Sequence, residues 1–357
     1  MLSLFQKLND QYKAALPFVV FCKPNSDKWI GVFQKDATLH SITDFTESGF
    51  VFVSFDSLQR VIIPVLESDV YVTETTTANF HYPKQNETIR EEVSRNHFEA
   101  LVAKGIQAIQ NGDFKKVVLS RSEEVPLLDL NMEIVLNQLQ SNYPSAFNYC
   151  FFHPEIGLWM GATPEQFLQV NGNTIKTVAL AGTQLHSQYV EWQEKEQKEQ
   201  QFVTDFIAEG LKEYSRDVEV SEPYTYQAGT LVHIKSDLKS ELNAKGDLGK
   251  LIETLHPTPA VCGLPKESAK KFILENEGYD RRFYSGFLGE LNIDFASFRK
   301  EHSDLFVNLR CMQLQSESSE ATLYVGCGIT IDSNPEKEYI ETVNKTMTMR
   351  KVVNLQH

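Results

Sequence analysis

Apolar residues come mostly in short, β-rich runs. An amphipathic helix at the start gives way to strands such as SGFVFVSF and RVIIPVL, where Pro64 marks an edge or an end. The period lengthens from Thr88 to Gln110. Thr88 and Glu91 form a candidate capping box there, and Asn111-Gly112 closes the far end. KKVVLSRSEEV reads as a strand, and a second helix covers about Asn131–Leu139. A β-meander follows, AFNYCFFHPEIGLWMGATPEQFLQVNGNTIKTVALAGT, punctuated by a Pro-Glu turn and by the hairpin signal Asn171-Gly172. A long charged helix is expected from Gln188 to Tyr214, then strands around Val218 and Val232. HPTPAVCGLPKESAKKFILENEG is a proline-stiffened loop leading into a helix that Gly278 ends. YSGFLGELNI, LFVNLRCMQL and ATLYVGCGITI read as hairpins. Strands that come in hairpins predict an antiparallel α+β fold rather than a doubly wound sheet. With no repeat and no dividing linker, residues 1–357 read as a single unit. Within it, 1–87 form a β-rich part without catalytic motifs, ahead of a core over 88–357.

The last strand and helix, YVGCGITIDSNPEKEYIETVNK, hold the densest candidate chemistry. Tyr324, Val325, Ile329 and Ile331 are strand-like, and Gly326 and Gly328 permit close backbone approach. Asn334 then Pro335 signals a helix start. Glu338, Glu341 and Lys345 then fall at i, i+3 and i+7 and share one face. Such a face is ordinarily solvated and laced by Glu–Lys pairs, but beside a glycine-rich strand end it could hold a divalent cation and an anion. The charged helix carries a second carboxylate pair, Glu196 and Glu199, which extends the apolar face of Phe202, Val203, Phe206, Ile207 and Leu211. Buried carboxylates need partners. Two such pairs suggest an all-oxygen site suited to Mg²⁺ with few protein ligands and several waters.

Charge narrows the partners. With 34 Lys and Arg against 48 Asp and Glu, the net charge of −14 argues against nucleic-acid or anionic-membrane surfaces. The five scattered cysteines lack CxxC spacing and fit reduced, buried thiols. Charges interrupt every apolar run near the N-terminus and no run approaches a membrane span, so a cytoplasmic protein is expected. No sustained heptad calls for an obligate protein partner.

The segments KVVLSR, GATPEQFL, LAGT, HPTPAVCG, YSGFLGEL, LRCMQL and YVGCGITIDSNPEKEYIET, in order over about residues 88–350, resemble the chorismate-utilising enzymes. That family includes isochorismate, salicylate, anthranilate and aminodeoxychorismate synthases. The resemblance implies large antiparallel sheets flanked by helices, and a magnesium-dependent site for chorismate. It makes Glu199 and Glu341 direct metal ligands, with Glu196 and Glu338 acting through water. Arg310 and Lys345 become carboxylate binders, the first a fork and the second a point charge. Gly182, Gly326 and Gly328 match positions where backbone approaches the ring and its carboxylates, and Tyr284 one that could touch the pyruvyl side chain.

Lys116 matches the base that activates water in isochorismate synthases, and must shed its proton to act. Glu165 matches the acid that protonates the leaving hydroxyl, for which a dry pocket must raise its pKa. Without the resemblance, Lys116 would read as an edge-strand lysine and Glu165 as an exposed turn residue. Amine-transferring relatives carry threonine at the position of Ala260, and the aminodeoxychorismate synthases a nucleophilic lysine at that of Ala181. Water is therefore the expected nucleophile, and isochorismate formation the expected reaction. Salicylate synthase, which goes on to eliminate pyruvate, is the nearest alternative; a non-catalytic chorismate-binding subunit is another. The chain departs from the family pattern at Gln200 (usually histidine), Ala179 (usually proline) and Gln184 (usually arginine).

Overall fold

A computed structural model describes residues 3–74, 92–127, 130–187, 189–228, 231–244, 246–314 and 320–353. Two antiparallel sheets dominate it. In the nine-stranded sheet the order is Gly263–Leu264, Lys116–Pro126, Glu320–Ile329, Cys311–Leu314, Gly157–Thr163, Phe147–His153, Phe18–Cys22, Lys28–Gln34, Ser68–Glu74. In the ten-stranded sheet the main path runs Ser215–Val220, Leu231–Leu242, Thr174–Leu185, Gln166–Asn171, His302–Val307, Phe287–Leu291, Gly49–Val53, Arg60–Pro64, His40–Ser41. This is the antiparallel α+β architecture expected. The N-terminal strands extend the far ends of both sheets.

The sheets face each other across an aromatic core. Phe147, Tyr149, Phe151 and Trp159 of the first meet Phe50, Phe52, Leu288 and Phe306 of the second. Phe147 stacks on Phe306 with centroids 4.5 Å apart. Rings packed this way add to the area they remove from water. Helices cover the outer faces. α1 (Leu4–Lys13), α2 (Glu92–Asn111), α3 (Met132–Asn142), α4 (Glu194–Tyr214), α5 (Asp247–Leu255), α6 (Lys266–Asn276) and α7 (Pro335–Val353) are the helices among the described residues. The apolar stripe of α4 (Val203, Ile207, Leu211) buries against Ile175, Ala179 and Ala181 of the ten-stranded sheet. Among these helices none is long and apolar enough to cross a membrane.

Four local expectations change. Helix α4 starts at Glu194 rather than Gln188, because residues before it are drawn to the sheet. Trp192 donates its indole N–H to Thr225 Oγ1 at 2.8 Å, and Gln193 is extended at φ −76°, ψ 162°. LFVNLRCMQL is not a hairpin: His302–Val307 and Cys311–Leu314 belong to different sheets, and the chain crosses between them at 308–310. Ile331 lies beyond the strand end, 55% exposed. Helix α3 is capped by Asn131, whose side chain accepts from Ile134 N at 3.1 Å, and runs three residues further than expected. The Thr88–Glu91 capping box lies outside the described residues, whereas Gly112, just past α2, has φ +87°.

Candidate active site

Twelve of the thirteen residues singled out from sequence line one cavity: Glu165, Gly182, Glu196, Glu199, Ala260, Tyr284, Arg310, Gly326, Gly328, Glu338, Glu341 and Lys345. The thirteenth, Lys116, is fully buried directly behind it, with Nζ 2.9 Å from Glu199 Oε1. The contact does not have the geometry of a hydrogen bond.

Local sequence explains how these groups arrive. Asn334 Oδ1 accepts from Lys337 N at 3.1 Å and Pro335 opens the helix, so α7 begins where the sequence predicts. Its Glu338–Glu341–Lys345 face turns to the cavity rather than to solvent: Glu338 is 4% exposed. Lys345 pairs with Glu341 at 2.7 Å and donates to Gly326 O at 3.0 Å. Across the cavity, α4 brings Glu196 and Glu199. With both lysine–glutamate pairs closed, the cavity holds about 110 Å³.

Gly328 makes room for the Lys116–Glu199 pair: a methyl group there would lie 2.6 Å from Glu199 Oε1 and 3.3 Å from Lys116 Cε. Gly328→Ala is therefore expected to displace Glu199 while leaving the strand paired. The readouts are a cooperative melt close to wild type and a roughly tenfold or greater loss of Mg²⁺ affinity by calorimetry. Unchanged affinity would exclude Glu199 as a ligand of Mg²⁺.

Glu165 and Arg310 ride on places where the chain changes sheet. Gly157–Thr163 and Gln166–Asn171 lie in different sheets, and Pro164-Glu165 is the step between them. The second step, Asn308–Arg310, is tied to the first. Val307 N donates to Glu165 O at 3.0 Å, and Thr163 Oγ1 donates to Val307 O at 2.5 Å. Asn308, fully buried, accepts from Tyr149 Oη at 2.6 Å and donates to Phe283 O at 2.9 Å. Arg310 has φ +46°, a left-handed backbone that non-glycine residues adopt at a cost and that packing must impose.

Burial pushes the Glu165 carboxyl from 4.5 up to about 7, against the opposing pull of Lys116, Lys345 and Arg310. At 7% exposure it is a buried acid, not an exposed turn residue. Burial likewise lowers the Arg310 pKa, although it stays a cation. Among the described residues, Arg310 Nη1 reaches only neutral acceptors, Thr348 Oγ1 at 3.3 Å and Lys345 O at 3.5 Å. A guanidinium so placed is poised for an anionic ligand. Tyr284 stacks on Tyr324 at 5.7 Å, and burial raises its phenol pKa.

The carboxylates fit a hard cation. Glu196 Oε2 is buried without a hydrogen-bond partner in the cavity wall, as an oxygen awaiting a cation or its water would be. Glu199 and Glu341 are partly open, at 14% and 31% side-chain exposure. The four do not form a tight cage. Among the described residues the grouping of three candidate ligand atoms within 4.8 Å of one another is Glu290, His302 and Asp304, which lies elsewhere. Few protein ligands completed by water and substrate suit Mg²⁺ better than a closed cage would.

The sequence departures leave the cavity intact. Gln200 points away from it, donating to Thr204 Oγ1 at 2.8 Å and Ser236 Oγ at 2.9 Å. Gln184 donates to Glu191 O at 3.0 Å, and Ala179 is fully buried in the α4 interface. Sequence reasoning missed His233. Its Nδ1 lies 3.1 Å from Gly182 O, and burial, with Arg310 and Lys345, depresses it to about 3, so the ring in the cavity wall is neutral. A lone histidine inside a strand gave no periodic signal.

Comparison with known proteins gives the family and the fold. A family model described as chorismate binding enzyme matches residues 51–354. The salicylate biosynthesis isochorismate synthase of Pseudomonas aeruginosa is 30% identical over 278 residues, covering 73% of this chain and 55% of that protein. The isochorismate synthase DhbC of Bacillus subtilis is 30% identical over 276 residues, covering 72% and 67%. The chain thus matches little more than half of the first relative's length and two thirds of the second's. The structure of MenF, the menaquinone-specific isochorismate synthase of Escherichia coli, shares the fold at TM-score 0.78 and 20% identity, over 94% of this chain and 88% of that one. With the family model covering most of the chain, and the motif residues converging on one cavity, the protein belongs to the chorismate binding enzymes.

Proposed function

We propose that the protein is an isochorismate synthase, converting chorismate reversibly to isochorismate with Mg²⁺ held by Glu199 and Glu341 and, through water, by Glu196 and Glu338. The observation that carries the reading is the Glu165 carboxyl, buried in the cavity and pushed up to about 7, the state a proton donor needs near neutral pH. When bound, magnesium supplies charge neutralisation at the ring carboxylate and draws electron density out of the ring.

Lys116, as the neutral amine, takes a proton from the water whose oxygen bonds to C2. The ring double bonds shift, and the C4–O bond breaks as Glu165 passes its proton to the departing oxygen. Proton count and charge balance across the step, and reversal exchanges the two roles. Arg310 and Lys345 hold a substrate carboxylate, the first as a planar fork. Tyr284 and Gly326 shape the wall beside it: a methyl group on Gly326 would lie 2.9 Å from Tyr284 Oη. Ala181 and Ala260 present neither an amine nor a hydroxyl, which supports water as the nucleophile. Five buried free cysteines suit a reducing compartment and support a cytoplasmic setting.

The deciding assay incubates the protein with chorismate and Mg²⁺, with an EDTA control, and separates the products. A reversible mixture of chorismate and isochorismate, lost with EDTA, is expected. Stoichiometric salicylate and pyruvate would move the protein to the salicylate synthases. Chorismate bound without turnover would make it a non-catalytic subunit.

A further inference from the structure

Arg310 also lines a second cavity, of about 440 Å³, on the side away from the glutamates. The two cavities share only Pro164 and Arg310 in their walls. Arg310 Nη1 contacts both Thr348, which lines this annex and not the catalytic cavity, and the carbonyl of Lys345, which lines the catalytic cavity and not the annex, so the guanidinium lies between the two spaces. The Tyr143 phenol lies beside Thr348 and Arg310 at the neck. Lys351 adds a second cation at the rim, and among the described residues no Asp or Glu lines the annex. In a chain of net charge −14, a cavity with two cations and no acid singles out anions. Met347, Ala146, Ala162 and the two prolines supply apolar wall for a ring. Its volume lies in the range of small-molecule sites.

We propose that this annex is a second ligand subsite, taking a ring-bearing monocarboxylate whose carboxylate meets Arg310. Because one guanidinium serves both spaces, an occupant there competes for the group that holds the substrate carboxylate. The competition, but not the binding itself, rests on the reading of Arg310 given above.

Benzoate is the probe, titrated into the full chain with Mg²⁺ present and followed by NMR shift changes and calorimetry. One site is expected. Met347→Trp, which fills the annex and does not touch the catalytic cavity, should weaken it at least about tenfold. Lys351→Ala should weaken it about threefold, as for an exposed charge. If Met347→Trp fails to melt cooperatively, Asn344→Phe blocks the same space from an exposed position. In turnover assays benzoate should raise the apparent KM for chorismate in wild type and lose that effect in the blocked variant, whose own kcat/KM stays near wild type. Benzoate binding equally to wild type and both blocked variants, or not at all, overturns the subsite. Binding lost in the blocked variants by a protein that does not turn chorismate over would keep the subsite and remove only the functional reading.

Discussion

Glu165→Gln is expected to lose roughly 10²–10⁴-fold in kcat while melting as a folded protein, and Lys116→Ala to lose a similar factor. Gln keeps the shape and hydrogen-bonding reach of Glu165 but has no proton to give. Removing Lys116 takes away the amine placed 2.9 Å from Glu199. The pH dependence separates the two roles. Glu165 donates only while protonated, and burial has raised it to about 7, so the forward rate should fall as pH climbs through 7. The same shift fixes the sign of a stability effect. A carboxyl whose folded pKa exceeds its unfolded value of 4.5 binds its proton more tightly in the folded state. Stability from this group is therefore greatest below about pH 4.5, falls as pH rises, and levels off above about 7. At pH 8 the ligand-free Gln variant should be more stable than wild type, relative to pH 5, by on the order of 2–3 kcal/mol. Chemical denaturation at the two pH values measures this, and no pH-dependent gain would mean that Glu165 is not a buried acid. Unchanged turnover in either variant would remove its assigned role.

The largest stability effect is expected away from the chemistry, at Arg281. This guanidinium is 3% exposed and pairs with Glu277, itself 4% exposed. It also donates to Val118 O at 2.7 Å, Val261 O at 3.0 Å and Ser285 Oγ at 3.1 Å. Glu277 in turn accepts from Ser120 N at 2.7 Å. Val118, Val261 and Ser285 all line the catalytic cavity, so one buried pair braces three of its walls. Arg281→Met leaves the buried Glu277 without its cation, a loss of about 3–5 kcal/mol. The Arg281→Met, Glu277→Gln double variant should recover part of it, because a neutral amide needs less from its surroundings. Denaturation midpoints of the single and double variants check this. A loss below about 1 kcal/mol in the single variant would show the pair to be dispensable.

The helix that carries Glu338, Glu341 and Lys345 could be read from sequence because capping and helical spacing are local properties. The same holds for Glu196 and Glu199, which continue an apolar stripe. Lys116 and Glu165 look ordinary by pattern, and only the motif resemblance singled them out. The sheet crossings were beyond reach for a physical reason. Phe147–His153 and His302–Val307 are buried along their whole length. Strands covered on both faces lose the alternation that would reveal which sheet each joins. Arg281 and Glu277 stayed hidden because the strand residues they brace, Val118 and Ser120, lie far away in sequence.

The two chain crossings make the sandwich itself a gauge for the reaction. Glu165 and Arg310 sit on the seam and are joined through Val307, so their separation is set by how the two sheets lie on one another. That alignment is held by aromatic pairs such as Phe147 on Phe306, neither of which lines the catalytic cavity. Thinning the layer between the sheets, for example by Phe306→Leu, would let Glu165 and Arg310 slide relative to each other without altering either. The catalytic distances are in this sense a property of the interlayer spacing, and drift in that spacing among variants would appear first as a change in turnover.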